Sequence, residues 1–257
     1  VSLRFSCPSV VADRGQPVPR QRADLERLAR LIVPDDVADR PPPAIHGTEQ
    51  LDWDDTLRVI AALDAAVCES DVPVMTRLRR AIFWIQLLGQ ATFDKVRGDR
   101  LDELLEILSQ ASVDEVPENA VDVEPPTAIG RTHFRMLVGQ YARRDTSVEL
   151  ERGWGYRWQL LKSAVRFARG TGDVPPLQEA FRPVPFEKLE KPFGALPDGA
   201  DALLTRYLEC KILGMHFCGP AFYNLPVVDG FLALALFVPA TLWLARWRAR
   251  SDDRSTV

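Results

Sequence analysis

The sequence predicts an all-α protein, an irregular helical bundle of about eight helices with proline-rich connectors. Apolar residues recur at spacings of three and four in successive segments, which places them on one face of a helix. The 20 prolines among 257 residues fall mostly between these segments, where a residue without a backbone N–H interrupts a helix. No segment alternates apolar and polar residues as a half-buried strand does, and no repeat is visible.

The spacing predicts the helices in the amino-terminal half one by one. The first covers residues 24–33, and the second carries an apolar stripe over residues 53–67. The third is predicted to start at Asp71 as N-cap and to continue through Phe93. A glycine then separates it from a fourth helix over residues 101–108.

The carboxy-terminal half begins after an acidic, proline-bearing segment, which is the best candidate for an internal loop. That loop is predicted at residues 112–126. Helical spacing then returns four times, near residues 134–141, 156–167, 200–217 and 228–247.

A second proline-rich connector, residues 175–197, interleaves prolines with phenylalanines and is expected to pack in extended form.

The domain organisation predicted from these patterns has three parts. Residues 1–18 are the end of a truncated cysteine-cluster region, 19–250 form a single helical domain, and 251–257 form a disordered tail. The residues predicted to lie in the core are Leu57, Ile60, Ile82, Phe83, Leu87, Leu104, Leu137, Leu161, Tyr207, Leu234 and Trp243.

Charge and cysteine content limit the possible functions. A formal net charge of −4 argues against a nucleic-acid-binding protein, which normally carries a basic excess. The four cysteines are widely scattered, which is not the pattern of a disulfide-stabilised secreted domain. We therefore expect a cytoplasmic protein and no nucleic-acid partner.

Residues 227–247 form the most apolar stretch, with arginines after its end. From Phe231 to Ala245 only Thr241 is polar, a run of about 15 residues where a spanning helix needs about 20. The segment is therefore predicted to be a buried core helix with a kink at Pro239, and a membrane-associated helix remains the alternative.

Cys210, His216 and Cys218 bring three metal-capable side chains within nine residues. In a helix, the two cysteines would lie about 12 Å apart and could not hold one ion without a break in the helix. Zinc normally takes four ligands at tighter spacing. Buried cysteines beside a core or surface histidine are therefore the favoured interpretation.

Three further groups of residues carry weaker signals. Residues 153–158 read GWGYRW and are predicted to be a loop with aromatic anchors, because no strand precedes the glycines and no third glycine follows. An acidic ligand, if one binds, would lie near this loop. The candidate anion site consists of Arg143, Arg144 and Arg157. Two histidines, His46 and His133, lie far apart in the sequence and have no nucleophile motif. The pair Arg79 and Arg80 is predicted to lie on a solvated helix face.

The first residues suggest a chain that begins within a longer one. Val1 stands where Met is expected, and a Leu3/Phe5 alternation leads directly into Cys7-Pro8. Either a GTG codon starts the chain or residues upstream have been lost.

Several segments resemble one protein family. Residues 2–11 (SLRFSCPSVV), residues 204–222 and residues 230–235 (GFLALA) are similar to segments of the flagellin lysine-N-methylase family. That family overlaps the YkgJ-type cysteine-cluster proteins. Residues 77–80 (RLRR), which lead an apolar helix, are compatible with it.

The resemblance implies S-adenosylmethionine-dependent transfer of a methyl group to a lysine of a protein substrate. It also implies an iron–sulfur cluster or zinc, for which Cys7 is the last ligand and the other cysteines lie upstream. Such a centre needs several converging thiolates, so we expect no stable metal site in the chain as given.

Two alternatives remain open beside the methylase-like enzyme. The sequence does not contain the strand and glycine loop that bind the cofactor in a doubly wound methyltransferase. Both alternatives to a methyltransferase therefore stay open. One alternative is a non-enzymatic metal- or iron–sulfur-binding protein that has lost its cluster. The other is a membrane-associated helical protein that uses residues 227–247.

Overall fold

A computed structural model describes residues 40–68, 72–117, 125–143, 153–191 and 196–252. These described residues form eight helices and no strand, so the predicted all-α class is confirmed. The predicted helix at 24–33 lies outside them, as does most of the predicted tail. The helices are α1 (Trp53–Cys68), α2 (Val74–Leu88), α3 (Asp99–Glu115), α4 (Ala128–Ala142), α5 (Gly153–Arg169), α6 (Phe186–Glu190), α7 (Asp198–Leu213) and α8 (Val227–Ser251).

Helix α2 is shorter than its apolar spacing predicts. It begins after Pro73 and ends at Leu88, where the N–H of Gly89 closes the last turn by donating to the carbonyl of Ile85. Phe93 is fully buried although it follows the helix. The prediction that the helix continues to Phe93 was wrong, because a buried aromatic in a connecting segment fits the apolar spacing as well as a helical one does.

Two predicted loops also differ from the structure. The segment assigned to a loop from residue 112 remains helical to Glu115. The stretch 153–158 is the first part of α5 rather than a loop. Glycine is most destabilising in the interior of a helix, because of its conformational entropy, and Gly153 and Gly155 both lie in the first turn of α5.

By its contacts the chain divides into two compact units, each described here by itself. The first unit comprises Val1–Ala120 and Leu196–Ala235, and the second comprises Val121–Ala195 and Leu236–Val257. The predicted single helical domain over 19–250 stays a prediction. The division falls within α8, so that helix supplies residues to both units.

In the first unit, α1 packs against α2 and α7, and α2 packs against α3. Apolar side chains from these helices, from the segments that connect them and from the start of α8 are removed from water, which is the main driving force for folding. The largest of them are Ile45, Leu63, Trp84, Ile85, Leu88, Phe93, Leu101, Phe217 and Phe231.

A buried arginine connects three segments of this unit. Arg77 of α2 is 4% exposed. Its guanidinium donates to the carbonyl of Val67 at the end of α1 (2.5 Å) and to the carbonyl of Val72 (2.9 Å). It also donates to Oδ1 of Asp201 at 3.0 Å and Oγ1 of Thr205 at 2.9 Å, both on α7. The charge is therefore both paired and hydrogen-bonded, as burial requires.

The core of the second unit is aromatic. Phe167 of α5 contacts the rings of Phe186, Trp243 and Trp247 at centroid distances of 5.7, 6.4 and 6.3 Å. Phe181 stacks on Trp247 at 4.2 Å, and the Trp247 indole N–H donates to the carbonyl of Arg182 at 2.8 Å. The proline-rich connector thus packs Phe181 and Phe186 against this core, although Phe186–Glu190 forms the short helix α6 instead of continuing in extended form.

The predicted core is partly confirmed. Ile60, Leu234 and Trp243 are buried. Leu57 and Leu161 are exposed, and those two predictions were wrong. Leu161 belongs to an exposed apolar stripe on the side of α5 away from the buried Phe167. Leu57 lies at the edge of the α1 stripe that also contains the buried Ile60, and spacing alone does not tell how much of a stripe is covered. The remaining predicted residues are half-buried: Ile82, Phe83, Leu87, Leu104, Leu137 and Tyr207.

Replacing Arg77 with lysine is expected to lower the free energy of unfolding by about 3 kcal/mol, since one ammonium cannot supply the diverging donors of a buried guanidinium. Urea unfolding followed by far-UV circular dichroism measures the change. The matched control is Arg100→Lys on α3, an exposed arginine, for which a change below about 0.5 kcal/mol is expected. Equal losses in the two variants would contradict the anchoring role of Arg77.

Gly230→Ala is expected to destabilise the chain by about 2–3 kcal/mol through overpacking. A Cβ at Gly230 would lie 1.9 Å from the carbonyl oxygen of Phe217, a backbone atom that cannot rotate away. Gly199→Ala is the control, because a Cβ there meets nothing within 4 Å and alanine favours the helix. Thermal unfolding of both variants tests the difference, and a neutral Gly230→Ala would refute the close approach.

Candidate functional site

The first unit contains a cleft of about 560 Å³ between α1, α2 and α3. This volume lies within the range of small-molecule sites. One wall consists of small residues, because α1 presents alanines at successive turns. These are Ala61, Ala62, Ala65 and Ala66. Trp84 and Leu105, both buried, lie at the floor, and the Trp84 indole N–H donates to the Leu105 carbonyl at 3.4 Å.

The three arginines that line the cleft differ in how many of their N–H groups are already hydrogen-bonded or ion-paired within the protein. Arg77 is committed to the structure through its four hydrogen bonds. Arg58, at the rim, is paired with Asp102 and lies 3.7 Å from Oδ1 of Asp55. Arg80 donates from Nε to the carbonyl of Val116 at 2.9 Å, and its terminal nitrogens contact no acceptor among the described residues. Arg80 is therefore the cation available to a ligand.

Acidic and hydroxyl groups come from α3. Glu106 is exposed and forms no ion pair with another described residue. Ser109 and Ser112 also line the cleft, and the Ser112 hydroxyl donates to the Ser109 carbonyl at 2.7 Å. The cleft therefore offers a cation on α2, a carboxylate on α3 and an apolar wall on α1. This arrangement suits a ligand that carries both charges and an apolar portion.

The sequence did not indicate this site. Arg79 and Arg80 were expected to be a solvated pair, but both are half-buried. The signal that could have revealed the cleft is the run of small residues on α1, residues 61–66 (AALDAA). Small side chains on a helix leave a hollow wherever the neighbouring helices carry none large enough to fill it.

The three side chains of the C-x5-H-x-C segment lie in two different structural elements. Helix α7 contains Cys210 and ends at Leu213, and His216 and Cys218 follow in an irregular turn. In the part of the chain that the structure describes, no group of three or more histidine, cysteine or acidic side chains could hold an ion. Burial lowers the pKa of His216 and raises the pKa of Cys210.

The buried cysteines are held as neutral thiols. Burial raises the pKa of Cys218 to about 12. Burial, and then the charge of Asp64, raise the pKa of Cys68, whose Sγ lies 3.9 Å from the Thr205 carbonyl oxygen. Because metals bind the thiolate, these residues suit packing better than ligation. Cys7, the one metal ligand that the sequence suggested, lies outside the described residues.

The remaining candidates occupy separate positions. Nε2 of His46 is 2.7 Å from the carbonyl oxygen of Ala91, so this half-buried histidine joins two connecting segments of the first unit. His133 is exposed on α4 of the second unit. The Arg157 guanidinium lies over the Trp154 ring at 5.6 Å. Arg143 is half-buried at the end of α4, and Arg144 lies outside the described residues.

Helix α8 is, by length and composition, long and apolar enough to cross a membrane, and half of its most apolar 18-residue window is buried within the structure. The predicted apolar segment 227–247 is thus one helix that extends to Ser251, with Pro239 inside it.

Comparison with known proteins returns no relative. No family model matches the chain, and neither a curated protein nor a solved structure is significantly similar to it. The resemblance of its segments to the lysine-N-methylase family therefore stays a prediction.

Pulse alkylation is expected to spare Cys218 in the folded protein at pH 8. A thiol with a pKa near 12 is about a thousandfold less ionised there than an ordinary cysteine. Mass spectrometry of the labelled peptides, with and without urea, measures this protection. Since the pKa of the folded state exceeds that of the unfolded state, stability should also fall as pH rises from about 8.5 towards 12. Rapid native labelling of Cys218 would contradict its burial.

Proposed function

We propose that the chain is the helical body of a cysteine-cluster protein of the lysine-N-methylase type, and that the cleft between α1, α2 and α3 binds S-adenosylmethionine. The observation that carries the proposal is that one cleft is lined by the half-buried Arg80, the exposed Glu106 and the alanines of α1. S-adenosylmethionine has a carboxylate, a positively charged amine and sulfonium, and an aromatic base. The charges of the cleft complement the charges of this molecule.

Different residues of the cleft would bind different parts of the ligand. The terminal N–H groups of Arg80 would donate to the ligand carboxylate, an arrangement that a guanidinium satisfies with two parallel bonds. Glu106 would lie beside the positive end of the ligand. The alanines of α1 and the buried Trp84 would exclude water on one side, which strengthens both electrostatic interactions.

The chemistry requires a neutral lysine amine. When bound, S-adenosylmethionine supplies a methyl group, which passes from sulfur to the lysine nitrogen while the electron pair of the broken S–C bond stays on sulfur. Of the acidic residues in the cleft, Asp102 is already paired with Arg58. Glu106 is therefore the carboxylate that would take the proton from the lysine ammonium, provided that it lies within hydrogen-bond reach of the nitrogen.

Metal chemistry is not assigned to the described residues. Among them no group of three or more histidine, cysteine or acidic side chains could hold an ion, and one thiolate at Cys7 cannot by itself hold an iron–sulfur cluster or a structural zinc ion. A protein that carries a cluster without methyl transfer therefore stays the alternative that the resemblance allows. A cytoplasmic location and a lysine-bearing protein substrate likewise remain predictions.

Membrane association is the second candidate function, and α8 is the observation that favours it. The helix has 25 residues, enough to span a bilayer. This candidate and the cleft do not exclude each other, because a membrane-bound protein can also bind a soluble cofactor.

Isothermal titration of the 257-residue chain with S-adenosylmethionine is expected to show one site, and Arg80→Gln should weaken binding by about 10- to 100-fold. Binding is the appropriate measurement because the resemblance ties turnover to a cluster that this chain alone does not complete. Arg79→Gln is the control, since Arg79 does not line the cleft.

Two results would overturn the assignment. The first is an absence of binding by the wild-type chain, and the second is an equal loss of affinity in the Arg79 and Arg80 variants. A cleft that instead binds S-adenosylhomocysteine and ATP equally well would indicate a general nucleoside site without selectivity for the sulfonium.

A further inference from the structure

Helix α5 of the second unit carries an uncovered apolar stripe on its outer face. At 3.6 residues per turn, its members fall within about 60° of the helix circumference and extend over about 16 Å of its length. Their exposed fractions are 79% for Trp154, 60% for Trp158, 53% for Leu161 and 41% for Val165.

The stripe is not part of the core of its unit. The opposite side of α5 contributes Ser163 and Phe167, which are buried, and Phe167 packs against Gly139 of α4. The helix is therefore apolar on two sides, of which the structure covers one. Two adjacent, highly exposed tryptophans are unusual on a soluble surface, where such patches generally mark an interaction site.

The charge of α5 indicates what covers the stripe. Over Gly153–Arg169 the helix has four basic residues and no acidic one. Arg157 lies on one flank of the stripe, and Lys162, Arg166 and Arg169 lie on the other. None of the four forms an ion pair with another described residue. A net-acidic protein thus concentrates positive charge beside its two most exposed tryptophans.

We propose that the outer face of α5 binds an anionic phospholipid surface, with the helix axis parallel to the membrane plane. Tryptophan prefers the depth of the lipid headgroups, where its ring is buried in a partly apolar layer. Leucine and valine would enter the acyl boundary, and the flanking cations would contact headgroup phosphates and carboxylates.

A lipid surface fits this face better than other anionic partners do. Contacts with a nucleic-acid backbone would use the four cations but would leave Leu161 and Val165 exposed to water. The groove of a protein partner would have to accommodate a single convex helix flanked by cations on both sides. A bilayer interface accepts that shape without any complementary fold.

The test is flotation of the full chain with vesicles of phosphatidylcholine containing about a quarter phosphatidylserine. Wild-type protein should float with these vesicles and not with pure phosphatidylcholine, and added salt should release it. Trp158→Glu should weaken partitioning at least about tenfold, because it removes the burial of one large aromatic. Lys162→Gln should weaken it about fivefold, the effect of one cation near an anionic surface.

Ile107→Glu on α3 is the matched control, since Ile107 is 65% exposed but lies in the first unit. It should leave vesicle binding within about twofold of wild type. Thermal unfolding of each variant separates lost binding from lost folding. All three positions are exposed, so their midpoints should match.

Three results would overturn the proposal. Binding that survives Trp158→Glu would place the contact elsewhere, for example on α8. A wild-type chain that ignores anionic vesicles but forms a dimer that Trp158→Glu dissociates would show a second copy covering the stripe. A wild-type chain that ignores vesicles but binds poly-glutamate through Lys162 would show an acidic protein as the partner.

Discussion

The arrangement of the first unit depends on the buried guanidinium of Arg77. Removing a charge from water costs several kcal/mol unless every donor finds an acceptor, and here the acceptors come from α1, from the segment before α2 and from α7. Asp201 joins the same network, because its second oxygen accepts from the N–H of Val74 at 2.7 Å and so caps the start of α2. The three segments can therefore move relative to one another only by leaving a buried charge unpaired. Arg80 lies one turn further along α2, so the anchor that fixes Arg77 also fixes the direction in which Arg80 faces the cleft.

The sequence predicts those features of the fold that depend on neighbouring residues, and it predicts poorly those that depend on distant segments. Periodicity gave the existence and approximate position of the helices, since the spacing of three and four is a local property. Helix ends were less accurate, and Phe93 shows why: a buried aromatic after a helix continues the pattern that a longer helix would make. The exposed Leu57 and Leu161 show a different limit. Both lie on regular stripes, but whether a stripe is covered depends on helices distant in sequence.

The cleft was missed for the same physical reason. Its cation, carboxylate and alanine wall come from three helices, and no single segment has a composition that signals a site. The conspicuous motifs proved less informative, because Cys210, His216 and Cys218 are separated by the end of α7 and its turn. The aromatic segment at residue 153 was noticed for its glycines, yet its significance lies in the helical spacing of Trp154 and Trp158. Sites assembled from distant segments need the fold before they can be recognised, whereas an exposed stripe on one helix needs only the knowledge of which side is covered.

Helices α8 and α5 both bear on membrane contact, and packing distinguishes them, although of the described helices only α8 is long and apolar enough to cross a membrane. Helix α8 contributes Val227 and Phe231 to the core of the first unit, and Trp243 and Trp247 to that of the second. A helix that is buried on several sides must be apolar on several sides, so its hydropathy is explained by the cores that it serves. Helix α5 differs, because Phe167 packs into the core on one side of the helix, whereas Trp154 and Trp158 are exposed on the other side among basic residues. Among the described residues the Arg157 guanidinium lies over the Trp154 ring at 5.6 Å, yet Trp154 and Trp158 remain 79% and 60% exposed. The sequence of α5 is less apolar than that of α8, but α5 gives the stronger case for a membrane contact. The fold buries much of α8 and leaves the apolar stripe of α5 exposed.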